Sequence, residues 1–234
     1  MLYLIGLGLH DWKDMSLRAV DILKKCKRVF FEQYTSSQKI DLKKLEEFIG
    51  KKIIVLERKD IESSDILYHN NTALLVIGDP LVATTHYEII KEAERRGIKT
   101  RVIHSSSIIS AICETGLHIY KFGKTTSIPF PSEDFKPKSP CEVIKQNLSI
   151  NAHTLVLLDI GMEFKYALKY LMDCDFLDKN TKAFVCADLG GKSIIIAGTF
   201  EELLKKEIKE QPQSLIILAE MHFTEEESFK LHGG

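Results

Sequence analysis

Residues 72–86 read Thr72-Ala-Leu-Leu-Val-Ile-Gly-Asp-Pro-Leu-Val-Ala-Thr-Thr-His86. The first six form a nearly pure apolar run of strand length, as a strand covered on both faces requires. Gly78, Asp79 and Pro80 end it with turn chemistry. Thr85 and Glu88 have the spacing of a capping box, which predicts a helix running to Arg96. Gly97 then closes it. Strand, polar loop and helix in this order make half of a βαβ unit. The same alternation extends outward. Strands are predicted over 2–9, 28–32 and 52–57, and beyond the helix over 100–104. Helices are predicted over 16–27, around 45–49, and over 107–115. On one of them Leu17, Val20, Leu23 and Cys26 recur at helical spacing. The pattern is that of an α/β protein with mainly parallel sheets.

Four prolines, Pro129, Pro131, Pro137 and Pro140, mark a long loop. The domain junction is placed just before it, giving domains 1–123 and 124–234. The second half repeats the α/β alternation without repeating the sequence. Strands are expected over 154–160, 183–188, 193–197 and 214–219, with helices over 164–172 and 200–208. The strands at 183–188 and 193–197 form a hairpin around Gly190-Gly191.

The 234 residues carry 32 Lys and Arg against 33 Asp and Glu, for a formal net charge of −1. A protein that coats a nucleic-acid backbone needs a clear basic excess, so that class is excluded. A membrane helix needs an apolar run of about 18 residues, and none approaches it. The apolar start has no basic lead or small-residue cleavage site, so it reads as a buried strand of a cytoplasmic protein. Five cysteines, Cys26, Cys113, Cys141, Cys174 and Cys186, are odd in number and contain no Cys-x-x-Cys pair. They read as reduced thiols acting mostly as small apolar residues, and no metal site is expected.

Three loops follow apolar strands, where ligands of open α/β sheets collect. Gly6-Leu-Gly-Leu9 lets backbone approach a ligand, but Asp11 breaks the dinucleotide fingerprint. Residues 78–86 place an acidic residue and small polar residues between a strand and a helix. His104-Ser-Ser-Ser-Ile-Ile109 offers hydroxyls and amides. Each loop by itself reads equally as a well-made turn or cap. No phosphate-binding P-loop, Gly-x-Ser-x-Gly elbow or His-Glu-x-x-His motif is present.

Taken together, in this order and spacing, the loops carry a resemblance. Residues 1–9, Glu32-Gln-Tyr-Thr-Ser36, 78–86, Arg101-Val-Ile-His104, Gly116-Leu-His-Ile-Tyr-Lys-Phe-Gly123 and His153-Thr-Leu-Val-Leu-Leu-Asp-Ile160 resemble the diphthine synthases of the tetrapyrrole-methylase superfamily. The resemblance implies two α/β domains with S-adenosyl-L-methionine in the cleft between them, and a homodimer. It implies repeated methylation of the 3-amino-3-carboxypropyl group on the modified histidine of translation elongation factor 2, in diphthamide biosynthesis. Trimethylation of the amine is the common core, and some members also esterify the carboxylate. By position, cofactor contacts fall on Leu9, Asp79, Val82, Ser107 and Ile108, and in the second half on Leu158, Ala187 and Gln213. Departures fall in the second half. Gly161 stands where the family usually has Lys, Asp188 where Arg is usual, and Gln213 where His is common. The transferred methyl needs a neutral amine, so water or His86, His104 or His118 is the candidate base, and no catalytic residue is assigned. Two rival readings are a tetrapyrrole-ring methyltransferase and a non-catalytic module that binds elongation factor 2. The full Gly116 motif argues against the first.

Overall fold

The computed structural model describes residues 1–34, 36, 40–63, 67–131 and 137–234. Part of the Glu32–Ser36 motif and part of the proline-rich loop lie outside the described residues. The chain divides into two compact units, Met1–Ala111 and Ile112–Gly234.

In the first unit the chain runs β1 (Leu2–Gly6), α1 (Leu17–Lys25), β2 (Arg28–Glu32), α2 (Leu42–Ile49), β3 (Ile53–Leu56), α3 (Arg58–Ser63), β4 (Thr72–Val76), α4 (Tyr87–Arg95), β5 (Thr100–Ile103) and α5 (Ile108–Ala111). The sheet order is β3-β2-β4-β1-β5, and every neighbouring pair is parallel. The apolar run sits at the centre as β4, buried along its whole length. Side chains alternate between the sheet's two faces. Ile5, Val29, Phe31, Ala73 and Leu75 pack with Ala19 and Leu23 of α1. Leu2, Leu4, Phe30, Leu74 and Val76 pack with Ile89, Ile90 and Ala93 of α4.

That division of the core fixes the site. From β1 the chain passes through α1 to β2, on the far side of β4. From β4 it passes through α4 to β5, on the far side of β1. Right-handed crossovers in opposite directions put the two helices on opposite faces. The adjacent strands β1 and β4 therefore form a topological switch point, open at their carboxyl ends.

Local chemistry explains most boundaries. Ser16 caps α1 by accepting from the Ala19 amide at 3.2 Å. Gly50, at φ 70°, ends α2. The expected capping box at Thr85 does not form. His86 occupies the cap position in αR conformation without a side-chain cap bond. Its ring is drawn back into the loop, with Nδ1 3.2 Å from the Pro80 carbonyl, so the helix starts later. Glu88 pairs with Lys91 instead.

In the second unit come β6 (Thr126–Ile128), α6 (Ser139–Ser149), β7 (Thr154–Leu158), α7 (Phe164–Leu171), β8 (Lys182–Ala187), β9 (Ile194–Thr199), α8 (Phe200–Leu203), β10 (Gln213–Ile217) and α9 (Phe223–Leu231). The order is β6-β7-β10-β8-β9. Here the expectation of a mainly parallel sheet is corrected. Only β6 and β7 run parallel, while β7-β10, β10-β8 and β8-β9 are antiparallel. The hairpin explains one of these: Asp188 holds the turn by accepting from the Gly191, Lys192 and Ser193 amides. The helix expected over 200–208 ends at Leu203, where the Lys205 and Lys206 amides tighten onto the Glu202 and Leu203 carbonyls. Further along, Gln213 Nε2 donates to the carbonyls of Ile208 and Glu210 at 3.1 and 2.9 Å.

Two further expectations change. The junction expected after Gly123 falls earlier, since residues 115–123 are bonded into the second unit. Ser228 Oγ donates to the Thr115 carbonyl, the His118 amide to Glu225, and the Gly123 amide to the His153 carbonyl. The cysteines are not all reduced: Cys141 and Cys174 form a disulfide, with Cα atoms 5.8 Å apart. α6 and the turn after α7 bring them together across 33 residues of sequence, a meeting that spacing does not reveal. Cys26 and Cys186 are buried thiols. Burial pushes the Cys186 thiol up to about 12, with Glu114 adding to it, which keeps it unreactive. No helix among the described residues is long and apolar enough to cross a membrane.

Candidate active site

The three loops meet at the carboxyl ends of β1, β4 and β5. The chain beyond β1 stays against the chain beyond β4. The Leu7 amide donates to the Val76 carbonyl at 2.8 Å, and Gly8 and Gly78 exchange amide–carbonyl bonds of 3.3 and 2.8 Å. Glycine is required here. Gly8 and Gly78 sit at φ 83° and 73°. A Cβ on Gly6 would stand 2.5 Å from the Gly78 carbonyl oxygen and 2.8 Å from Ser105 Cβ. The space beside Gly78 is open, with nothing nearer to a Cβ position than the Ser106 carbonyl at 3.9 Å. Gly6→Ala is expected to cost about 1–3 kcal/mol, because the crowding is against backbone that cannot rotate away. Urea unfolding of the variant against wild type measures it.

Asp79 ties the second loop to the third. It is buried. One carboxylate oxygen accepts from the Leu81 amide at 3.0 Å. The other accepts from the Ser105 amide at 3.2 Å and lies 2.8 Å from His104 Nδ1. Asp14, which the sequence reading passed over, does the same for the first loop. Its carboxylate accepts from the Leu9 and His10 amides at 3.2 and 2.8 Å, and its carbonyl accepts from Ser105 Oγ at 3.2 Å. The signal was present in Asp11-Trp-Lys-Asp14, where Asp11 caps a single 3₁₀ turn that delivers Asp14.

Of the expected cofactor residues, the fold gathers Leu9, Asp79, Val82, Ser107 and Ile108 at this one edge. Leu9, Val82 and Ile108 are half-buried, and Ser107 is buried. The Ser107 amide donates to Ser110 Oγ at 3.2 Å, while its hydroxyl has no hydrogen-bond partner among the described residues. Ala83 holds φ 55° within the loop. His86 is buried with Nε2 3.5 Å from Tyr34 Oη. Burial pushes its imidazole below the usual range, against the bond to Pro80.

Leu158, Ala187 and Gln213 share one end of the second sheet, on the adjacent strands β7, β8 and β10. Ala187 is buried beside Gln213 in register. The Gln213 amide is spent on the chain. Its Oε1 accepts from the Phe164 amide at 2.7 Å, and Nε2 makes the two carbonyl bonds described above. His118 lies elsewhere in that unit, in a cluster built on the fully buried Glu225. Glu225 accepts from the His118 and His222 amides and from Lys121 Nζ, at 2.8, 2.8 and 2.9 Å. His153 Nε2 is 3.4 Å away. Among the described residues no three His, Cys, Asp or Glu side chains form a group able to hold a metal ion.

Residues 1–204 match the family model for tetrapyrrole (corrin/porphyrin) methylases. A diphthine synthase of Methanocaldococcus jannaschii is 39% identical, over 98% of each chain. The chain belongs to the diphthine synthase family of the tetrapyrrole methylases. A diphthine methyl ester synthase of Schizosaccharomyces pombe is 46% identical over 70% of this chain and 59% of its own. A crystal structure of a diphthine synthase superposes with a TM-score of 0.90 at 37% identity, covering 99% of this chain and 95% of the other. In this diphthine synthase-family chain the cofactor residues expected from sequence lie in two places, the loops at the switch point of the first sheet and one end of the second sheet.

Proposed function

We propose that the chain transfers methyl groups from S-adenosyl-L-methionine to the 3-amino-3-carboxypropyl group on the modified histidine of translation elongation factor 2. The observation that carries the reading is the convergence of three loops at the β1/β4 switch point of a methylase-family fold. The residues suit that cofactor. Gly78 presents open backbone, the Ser107 hydroxyl has no partner among the described residues and can bond a carboxylate, and the half-buried Val82 offers apolar surface to an adenine ring. Leu9 and Ile108 complete the set. The bonds already made by Asp79 and Gln213 leave them to act chiefly by holding those neighbours in place.

The cofactor supplies an already activated methyl on a sulfonium. The protein's work is then to hold the acceptor amine in line with that methyl, and orientation of this kind supplies most of the rate. The reading includes a cytoplasmic location and a homodimer, and light scattering of the purified chain tests the homodimer.

Incubation with radiolabelled S-adenosyl-L-methionine and purified elongation factor 2 bearing the carboxypropyl intermediate decides the function. Label is expected on the elongation factor, and intact-protein mass spectrometry counts the methyls. Label on a tetrapyrrole instead, or on neither, overturns the proposal. S-adenosylhomocysteine is expected to stabilise the fold by about 2.7 kcal/mol at 100 times its dissociation constant. In a chain of this length that raises Tm by roughly 5–10 °C. A shift with NAD and none with S-adenosylhomocysteine would remove the cofactor assignment.

A further inference from the structure

We infer that His104 is the base that takes the proton from the substrate amine, and that Asp79 is the residue that positions it. The inference rests on the methyltransferase reading above.

Three histidines were candidates, and their surroundings separate them. His86 is 2% exposed, with its two nitrogens facing the Pro80 carbonyl and Tyr34 Oη. His118 has Nε2 3.2 Å from Thr224 Oγ1 and Nδ1 3.9 Å from Glu225. His104 differs from both. Its side chain is 70% exposed while the Asp79 side chain bonded to it is 6% exposed. Its Nδ1 lies 2.8 Å from Asp79, and its Nε2 has no hydrogen-bond partner among the described residues.

The chemistry of that pair fixes the proton. An ionised carboxylate only accepts, so the neutral imidazole must carry its hydrogen on Nδ1. The lone pair of Nε2 then faces outward. The Leu81 and Ser105 amides pin the carboxylate, so the ring cannot turn it aside. The carboxylate behind the ring holds it in that tautomer and in that orientation. His104 also opens the loop that carries Ser107 and Ile108, so the base and the expected cofactor residues are held by the same bonds.

The step balances without a further reagent. His104 Nε2 takes a proton from the substrate ammonium. The nitrogen lone pair so released forms the bond to the methyl carbon, the carbon–sulfur bond breaks, and its electron pair stays on sulfur. His104 then gives the proton to water and is ready for the next transfer. A carboxylate acceptor has no proton to lose, so the role is confined to the nitrogen transfers.

The test is single-turnover methyl transfer by His104→Ala, with radiolabelled S-adenosyl-L-methionine and elongation factor 2 carrying the carboxypropyl group. The rate is expected to fall by about 10²–10⁴-fold at pH 7. Added imidazole should restore part of it, while calorimetric affinity for S-adenosylhomocysteine stays unchanged. In the ligand-free wild-type protein, ¹⁵N-resolved NMR of the neutral ring should show the hydrogen on Nδ1. A wild-type rate in His104→Ala overturns the inference. So does a loss that imidazole leaves untouched and that comes with weakened S-adenosylhomocysteine binding, since His104 would then be a structural contact. A hydrogen on Nε2 in the NMR spectrum also overturns it. Wild-type protein that labels nothing overturns the methyltransferase reading itself, and the role of His104 with it.

Discussion

Asp79→Ala is expected to destabilise the first unit by about 3 kcal/mol. The substitution leaves the Leu81 and Ser105 amides without their acceptor, and an unpaired buried donor costs roughly 1–3 kcal/mol. His104 loses its partner as well, but its ring is exposed and water replaces the carboxylate there at little cost. If Asp79 merely shaped a turn, the loss would be nearer 1 kcal/mol. Asp79→Asn keeps the size and one acceptor oxygen, yet turns an NH₂ group towards one of the two amides, so it should fall between. Affinity for S-adenosylhomocysteine should drop roughly ten- to a hundredfold in Asp79→Ala, equivalent to about 1.5–3 kcal/mol, because the 104–109 loop is released from the 78–86 loop. Chemical denaturation gives the stability, and calorimetry at matched folded fraction gives the affinity. Unchanged affinity would mean that the loops hold their places without the carboxylate.

Acid is expected to unfold the second unit in two stages set by the Glu225 cluster. Burial pushes the Glu225 carboxyl up, but the His118 and His222 amides, the Lys121 ammonium and His153 outweigh it and hold it at about 2, against an ordinary 4.5. A carboxyl whose folded pKa is depressed lends stability above its unfolded pKa and loses it as pH falls towards the folded one. The contribution is roughly 3 kcal/mol and disappears between about pH 4.5 and 2. His153 acts earlier and with the same sign. Burial holds its imidazole below the ordinary 6.5, with Glu225 opposing and Lys121 assisting. Its Nδ1 already accepts from the Ala219 amide at 3.0 Å. Below about pH 6.5 the unfolded chain therefore binds a proton that the folded chain refuses, and stability begins to fall. Glu225→Gln should abolish the lower stage and keep the upper one. At pH 7, Glu225→Ala should cost about 3–5 kcal/mol, since Lys121 and two amides lose their partner. Hydrogen exchange of residues 213–217 at pH 7, 5.5, 4 and 3 follows this unit separately from the first. A lower stage of equal size in Glu225→Gln would show that other carboxylates carry the acid response.

The sequence by itself determined the first unit well. Its β4 run is uninterrupted because a parallel strand must be apolar on both faces, and the fold places that run at the sheet's centre. Glycines at 6, 8 and 78 stood out because only they tolerate such close backbone and positive φ, so the loop positions were legible. The long match of residues 1–160 to a known family added the methylase chemistry to that frame.

Only the tertiary structure decided what lies far apart along the chain. Period-two patterning says which side of a sheet a residue faces, but not which strand lies beside it or in which direction. The mainly antiparallel second sheet was therefore hidden in residues 154–217. The Cys141–Cys174 bond was hidden for the same reason, since nothing local joins α6 to the turn after α7. Chemical roles were hidden by distance too. His86, His104 and His118 are indistinguishable as letters. Their difference arises because Asp79 reaches His104 across 25 residues and Glu225 meets the His118 amide across 107. Burial and a charged neighbour set the proton chemistry of a side chain, and both come into being only when the strands pack.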